Sequence, residues 1–121
     1  RKILEIAIAG RAAERRTEQD IEKIEGFLDE RGRTAEAGQL EACIEADVNF
    51  HIALAKATHN EILYELYRSA AIYLRKGFEH IYVDTACFLA SQPTHKQLVR
   101  HIIAQDAREA LHTINIILQE P

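Results

Sequence analysis

The chain has 121 residues, of which 47% are hydrophobic and 28% are charged, and its formal net charge is −4. These values are typical of one globular domain that can bury a sizeable core. The acidic balance argues against nucleic-acid binding by the chain itself, because that function needs a basic face.

The two cysteines, Cys43 and Cys87, are too few and too isolated for a disulfide framework or a zinc knuckle. Both fall in apolar helical contexts, which predicts buried free thiols and a reducing compartment, the cytoplasm. No apolar run has the length needed to cross a membrane, and no signal peptide opens the chain. Because the sequence begins without methionine and inside a predicted helix, we expect it to be part of a longer protein.

The first two helices are predicted from hydrophobic periodicity, since alternating strand patterns are absent. Helix one spans about residues 1–15, and its inward positions are Leu4, Ala7, Ile8 and Ala12. Thr17 followed by Asp20 is close to a capping box, so helix two is predicted to begin there. The apolar residues of helix two are Ile21, Ile24, Phe27 and Leu28.

The end of helix two is predicted at Gly32, with a short polar connection over residues 32–38. Arg31 and Arg33 flank this point, and both are expected to lie on a solvated face. Helix three follows over residues 40–58.

Helix four is predicted to be long and to be capped by Asn60. Its apolar stripe consists of Leu63, Leu66, Ala70, Leu74, Phe78 and Ile81. Residues 84–91 are less regular and hold at most a short helix. Pro93 suits a first helical turn, so helix five is predicted to begin just before His95.

Helix six is predicted to begin at Asp106, with Glu109 in its first turn. Its inward residues are Ala107, Ala110, Ile114, Ile117 and Leu118. The elements together predict an all-α domain without an internal repeat.

Two polar residues occupy the apolar face of helix three. The residues Leu40, Ile44, Asp47, His51 and Leu54 follow alternating steps of four and three, which places them on one helix face. The aliphatic members direct this face to the core, so Asp47 and His51 are predicted to point inward, where each needs a partner. They offer an oxygen and a nitrogen to one point, which suits a metal ion or a bound acid. The alternative is a structural pair that hydrogen-bonds only within the protein.

His95 extends this pattern to a second helix, because it shares an apolar face with Leu98 and Ile102. Three inward polar residues from two helices make convergence on one site more plausible than a lone core histidine would. His59 lies at a helix end, where a capping or dipole role is sufficient. The remaining histidines are expected to be solvated: His80, His101 and His112.

The chain resembles the C-terminal effector-binding domain, called the FCD domain, of GntR-family transcription regulators in the FadR subgroup. The most specific segment is residues 46–51, Ala-Asp-Val-Asn-Phe-His, continuing to residues 57–60. Residues 1–5, residues 12–20 and the helix pair around His95 fit the family pattern in the same order and spacing. The resemblance covers essentially the whole chain.

The resemblance implies an antiparallel bundle of six to seven helices around a central ligand cavity. In many domains of this family an aspartate and three histidines bind a divalent metal, and Asp47, His51 and His95 match three of these positions. The fourth position is Ile117, which cannot ligate, so a Zn²⁺ or similar ion is expected to bind more weakly. Arg1 matches a first-helix arginine that contacts the effector carboxylate.

The resemblance also implies that residues 1–121 form a single effector-binding and oligomerisation domain of a bacterial transcription regulator. A small organic acid would bind at Arg1, Asp47, His51 and His95, directly or through the metal. It would thereby control DNA binding by a winged helix-turn-helix domain absent from this chain. A homodimer is expected, with no membrane contact and no enzymatic activity.

Two other functions are kept as alternatives. One is a structural dimerisation module whose metal site has decayed, because Ile117 replaces a ligand. The other is a metal-dependent helical enzyme, such as a hydrolase or an oxygenase. The second alternative is disfavoured because no additional acid or base lies on a stripe near Asp47.

Overall fold

The computed structural model describes residues 2–119, and over these residues it forms six α-helices without a strand. The helices are α1 (Lys2–Arg15), α2 (Glu18–Glu36), α3 (Leu40–Lys56), α4 (Glu61–Ile81), α5 (Ala86–Ile103) and α6 (Ala107–Gln119). Short connections reverse the chain between consecutive helices. The all-α antiparallel bundle predicted from the sequence is therefore confirmed.

One core connects all six helices. α2 packs against α3 and α5, α3 packs against α4, and α1 lies mainly on α6 with further contacts to α3 and α5. Full burial of each large aliphatic side chain contributes about 1.5–3 kcal/mol. The largest of these are Ile8, Ile24, Ile44, Leu54, Leu98, Ile102 and Ile114. Within residues 2–119 no helix combines the length and the apolar character that a bilayer span requires.

Three helix starts agree with the sequence predictions. Thr17 and Asp20 form a reciprocal capping box at α2, with N–H to oxygen distances of 3.2 and 2.9 Å. The side-chain oxygen of Asn60 accepts two backbone N–H groups in the first turn of α4, at 3.0 and 3.1 Å. The carboxylate of Asp106 accepts the backbone N–H of Glu109 at 3.1 Å, which satisfies a donor at the start of α6.

The predicted end of α2 at Gly32 is wrong, because the helix continues to Glu36. Arg31, Thr34 and Ala35 are buried, so tertiary packing holds this turn in place. A Cβ atom at Gly32 would lie 2.8 Å from the side-chain nitrogen of Gln92. The glycine therefore permits close contact between α2 and α5 and does not stop the helix.

The predicted start of helix five near His95 is also wrong. α5 begins at Ala86, and Pro93 lies inside it, so residues 86–91 are helical too. A proline in a helix interior costs about 3 kcal/mol or more, because it removes a backbone donor and crowds the preceding turn. Four buried residues around it offset this cost by packing on the bundle: Phe88, Ser91, Gln92 and His95.

The inward face of α4 differs from the predicted stripe. Its fully buried residues are Tyr67 and Ala71, whereas Leu66 is 51% exposed and Ile81 is 71% exposed. α4 lies at the edge of the bundle and packs mainly on α3, so only a narrow face of it is covered.

Candidate metal and ligand site

Asp47, His51 and His95 come together inside the bundle, and all three side chains are buried. His51 Nε2 lies 3.8 Å from Asp47 Oδ1, and His95 Nε2 lies 3.5 Å from the same oxygen. One candidate ligand atom from each residue lies within 4.8 Å of the others. The cluster can therefore bind a metal ion, although the role of each residue as a ligand stays a prediction.

The helices position this cluster through their apolar faces. Asp47 and His51 lie one turn apart on α3, between the buried residues Ile44 and Leu54. His95 lies on α5 beside the fully buried Leu98. Because the aliphatic neighbours must pack in the core, the polar side chains between them are directed inward as well.

Hydrogen bonds at Nδ1 set the orientation of both imidazoles. His95 Nδ1 lies 2.7 Å from the backbone carbonyl of Ser91, and a carbonyl only accepts, so this nitrogen carries the hydrogen. His51 Nδ1 lies 3.1 Å from a carboxylate oxygen of Glu5 and is likewise placed to donate. In a neutral imidazole the lone pair is then on Nε2, which faces Asp47. Histidines that bind metals are held in this way by a carboxylate or a carbonyl.

Glu5 is a site residue that the sequence analysis did not single out. It is 1% exposed, and its other carboxylate oxygen accepts the hydroxyl hydrogen of Tyr67 at 2.9 Å. A signal for it was present, because Glu5 is separated by three and seven residues from the buried Ile8 and Ala12. The inward face of α1 is shifted from the predicted one, since Ala7 is exposed and Ala9 is buried.

Arg31 corrects a second expectation, because it is only 2% exposed and does not lie on a solvated face. Its Nε donates to Asp47 Oδ1 at 2.7 Å. Its Nη1 donates to the Phe88 carbonyl and to the Gln92 side chain at 2.9 and 2.6 Å, and its Nη2 donates to Ser91 Oγ at 2.8 Å. Arg33, by contrast, is exposed and pairs with the nearby Glu30, as expected for a solvated face.

The charges in the site favour an ionised aspartate and a neutral histidine. Burial opposes ionisation of Asp47, yet the neighbouring imidazoles of His95 and His51 and the guanidinium of Arg31 hold its pKa well below the ordinary value. Burial lowers the pKa of His95, and Asp47 offsets only part of this effect. A neutral imidazole beside a carboxylate is the state that can ligate a metal.

The cluster borders a cavity of about 50 Å³. This volume has room for an ion with a few water molecules. Part of the cavity lining is polar, which is called the polar side here, and the aromatic side is formed by aromatic and aliphatic residues: Phe78, Tyr82, Phe88 and Ile117. Ile117, the predicted position of the missing fourth ligand, therefore lies in the cavity wall.

The other residues singled out from the sequence lie away from the cluster or beyond the described range. Arg1, the predicted contact of the effector carboxylate, lies outside the described residues. His59 has a positive φ of 52° at the end of α3, and its Nε2 lies 2.7 Å from the Asp20 carboxylate. His80 and His112 are exposed and His101 is half-buried. Cys43 is buried as predicted, whereas Cys87 is half-buried at the cavity.

The FCD domain family matches residues 1–120 of this chain. The galactonate operon transcriptional repressor of Escherichia coli (strain K12) is 35% identical over 111 residues, covering 91% of this chain and 48% of that protein. The Uxu operon transcriptional regulator of the same organism is 31% identical over 115 residues, covering 91% and 45%. The HTH-type transcriptional regulator LutR of Bacillus subtilis (strain 168) is 48% identical over 66 residues, covering 54% and 29%.

The chain thus spans less than half the length of each of these curated relatives. Among solved structures, E. coli McbR/YncC has a TM-score of 0.86 at 22% identity, over 98% of this chain and 60% of that one. This likeness shows a shared fold. The family resemblance seen in the sequence is confirmed by the family match and by the three regulators.

Proposed function

Since the chain belongs to the FCD domain family, we propose that it is the ligand-sensing domain of a bacterial transcription regulator. In this proposal a small carboxylate binds in the bundle and controls a winged helix-turn-helix domain outside the chain. The carboxylate would bind more tightly to one conformation of the bundle than to another, and this difference in affinity is the coupling to DNA binding.

The observation that carries the proposal is the convergence of Asp47, His51 and His95 on one buried cavity. Their donor set, two imidazole nitrogens and one carboxylate oxygen, fits Zn²⁺ or a similar divalent ion. With three protein ligands, such an ion would supply open positions for oxygen atoms of an effector. Glu5 and the Ser91 carbonyl would hold the two imidazoles in the required orientation.

The effector we propose is a small hydroxy or sugar acid. The name of one relative, the galactonate operon repressor, points to this class, and a carboxylate suits a cavity that contains a guanidinium. The cavity volume of about 50 Å³ is too small for a sugar acid, so the aromatic side must move when one binds. Arg1 remains our proposed additional contact for the carboxylate, from the family pattern.

A sensor fits the polar groups of the site better than an enzyme does. Glu5 holds His51 and Tyr67, and Arg31 holds Asp47, Gln92 and Ser91. Glu5 and Arg31 are thus engaged in positioning other side chains. A general acid or base needs an atom within hydrogen-bond reach of the substrate, and we therefore propose a non-enzymatic role.

We also propose that two copies of the chain pair through the outer face of α4. Ile62, Leu66 and Tyr73 lie on this face and are 72%, 51% and 75% exposed. The exposed acid Glu61 lies in the first half of α4, whereas the exposed base Lys76 lies in the second half. A two-fold axis near the middle of the helix would place the opposite charges across from each other.

The dimer can be tested by sedimentation of the wild-type chain and of Leu66→Glu. The expected result is a wild-type dimer and a variant monomer with unchanged helical content. Leu89→Glu, at an exposed leucine of α5, is the matched control and should stay dimeric. A wild-type chain that is monomeric at high concentration would contradict this surface.

The sensor proposal is tested by thermal unfolding of the chain with galactonate and smaller hydroxy acids, each with and without Zn²⁺. A ligand that binds only the folded state must raise the unfolding temperature. We expect at least one acid to do so, and more strongly with the ion present. If neither acids nor Zn²⁺ change the unfolding temperature, a structural module with a decayed site is the better description.

A further inference from the structure

We infer that Arg31 is an internal cation that replaces the metal as the partner of Asp47, and that it weakens divalent-ion binding at this site. The inference rests in part on the proposed metal-assisted sensor. The pairing of Arg31 with Asp47 does not depend on a metal.

Hydrogen bonds to two neighbouring helices fix the position of the Arg31 side chain. The side chain leaves α2, passes between α3 and α5, and makes four hydrogen bonds to groups on those two helices. It is the largest fully buried side chain among the described residues. The four hydrogen bonds hold the guanidinium in one position, so Arg31 is a fixed part of the site.

The contact with Asp47 is the one that bears on a metal. Arg31 Nε lies 2.7 Å from Asp47 Oδ1, the same oxygen that faces both imidazole Nε2 atoms. A divalent ion bound by the two imidazoles and this carboxylate would therefore have a guanidinium as its close neighbour. Like charges a few ångströms apart repel each other, and burial reduces screening by salt.

The same contact explains how the site can persist without an ion. An isolated buried carboxylate is costly, whereas one paired with a guanidinium and further hydrogen bonds is tolerated. Arg31 supplies the pair, while Ser91, Gln92 and the Phe88 carbonyl accept three of its four other N–H groups. The site is thus pre-formed, and an ion must overcome a positive charge that is already present.

The charges of the site favour an anionic effector. Arg31 and Asp47 neutralise each other and the Glu5 carboxylate carries one negative charge, so a divalent ion would leave one uncompensated positive charge in the site. A bound carboxylate would offset this charge. We therefore expect Zn²⁺ and an acid to bind cooperatively in the wild-type chain, and less so when Arg31 is neutral.

The metal test compares two variants that both lose the guanidinium fork. Arg31→Gln removes the charge, and Arg31→Lys keeps it. Calorimetric titration with Zn²⁺ alone should show at least about tenfold tighter binding to Arg31→Gln than to Arg31→Lys. Arg33→Gln removes an exposed charge two residues away and should bind Zn²⁺ as the wild type does. Equal or weaker binding by Arg31→Gln overturns the inference that Arg31 opposes the ion.

The stability test uses chelator throughout and needs no ion. Arg31→Gln should lower the unfolding temperature strongly, because Asp47 loses its cation. The double variant Arg31→Gln with Asp47→Asn should recover a large part of that loss, since no unpaired charge is left. If the single variant does not fold, a folded double variant supports the pairing. A double variant no more stable than the single one overturns it.

The two tests separate this inference from the proposed function. If no variant binds Zn²⁺, the metal part of the proposed function fails. The chelator experiment then still decides whether Arg31 is the counter-charge of Asp47.

Discussion

The two sides of the cavity are built differently. The polar side consists of Arg31, Asp47, His51 and His95, which are nearly fully buried and connected by hydrogen bonds to three core helices. The aromatic side consists mainly of Phe78, Tyr82 and Phe88, which contact each other through ring edges at centroid distances of 5.0 to 6.4 Å. Ring contacts are weaker and less directional than charge-assisted hydrogen bonds.

This difference predicts that the polar side stays in place and that the aromatic side moves when a ligand binds. The polar side keeps one geometry, because moving any member would leave a buried polar group without its partner. Phe78 and Tyr82 lie at the end of α4 and just after it, and both are half-buried. They can be displaced at lower cost, so we expect the cavity to enlarge on the aromatic side when an effector binds.

The largest expected effect comes from removing the aspartate. Asp47→Ala leaves the guanidinium of Arg31 buried without a counter-charge, which should cost about 3–5 kcal/mol of unfolding free energy. Urea unfolding of the variant and of Glu41→Ala, an exposed acid on the same helix, measures the difference. A loss no greater than that of Glu41→Ala would show that the polar side is not held together as described.

The second effect is on binding. His51→Ala should reduce Zn²⁺ and effector binding by at least about tenfold, because one of three ligands is lost. Its stability should fall less than that of Asp47→Ala, since Glu5 keeps the hydroxyl of Tyr67 as a partner. His112→Ala, at an exposed histidine, is the control. Full-strength effector binding by His51→Ala would mean that this cavity is not the sensor.

The sequence predicted α3 well because local pattern and tertiary packing agree there. Asp47 and His51 stand between aliphatic residues at helical spacing, and the same residues form the core in the structure. Arg31 follows the same spacing after Ile24 and Leu28, so its burial was visible in the pattern. The adjacent Arg33 suggested a solvated pair, and that local argument was wrong.

The helix ends near Gly32 and Pro93 were mispredicted for a related reason. Both residues usually interrupt helices, but here both lie beside the contact between α2 and α5. Gly32 provides the space that Gln92 fills, and Gln92 in turn donates to the Leu28 carbonyl at 2.9 Å. This contact pairs residues 60 positions apart in the sequence, so no local signal could predict it.

The aromatic side is tested by Tyr82→Ala. Removing a half-buried ring should cost about 1–3 kcal/mol of unfolding free energy and should leave Zn²⁺ affinity unchanged, because the polar side is untouched. The enlarged cavity should bind longer sugar acids better relative to two-carbon acids. Tyr73→Ala removes a ring that is 75% exposed and serves as the control. Weaker Zn²⁺ binding by Tyr82→Ala would show that the two sides are coupled.

The substitution Ile117→His places a fourth possible metal ligand in the cavity wall. Ile117 lies in the cavity wall with the three predicted ligands, so an imidazole there should complete a four-ligand shell and tighten Zn²⁺ binding. The exposed neighbour Ile116 provides the control, since Ile116→His should leave Zn²⁺ affinity unchanged. If Ile117→His binds no more tightly than the wild type, α6 does not approach the ion from this position.

The smallest expected effect is on the pH dependence of stability. His95 has a folded-state pKa below its ordinary value of 6.5, because burial and the Arg31 charge outweigh the attraction of Asp47. The unfolded chain therefore binds more protons than the folded chain as the pH falls through 6.5. The contribution of the neutral His95 to the free energy of unfolding is lost as the pH falls. Asp47 does not contribute in this window, since its pKa is lowered from an already acidic value.

Urea unfolding in chelator between pH 8 and pH 5 measures this effect. The groups that face His95 are Asp47, Arg31 and His51, and all are kept in the variant His95→Asn. This variant should lose less stability on acidification than the wild type, whereas the exposed control His112→Asn should lose as much. An equal pH dependence in all three proteins would show that folding does not lower the pKa of His95. Protons would then compete with an ion for this imidazole from about pH 6.5 downward.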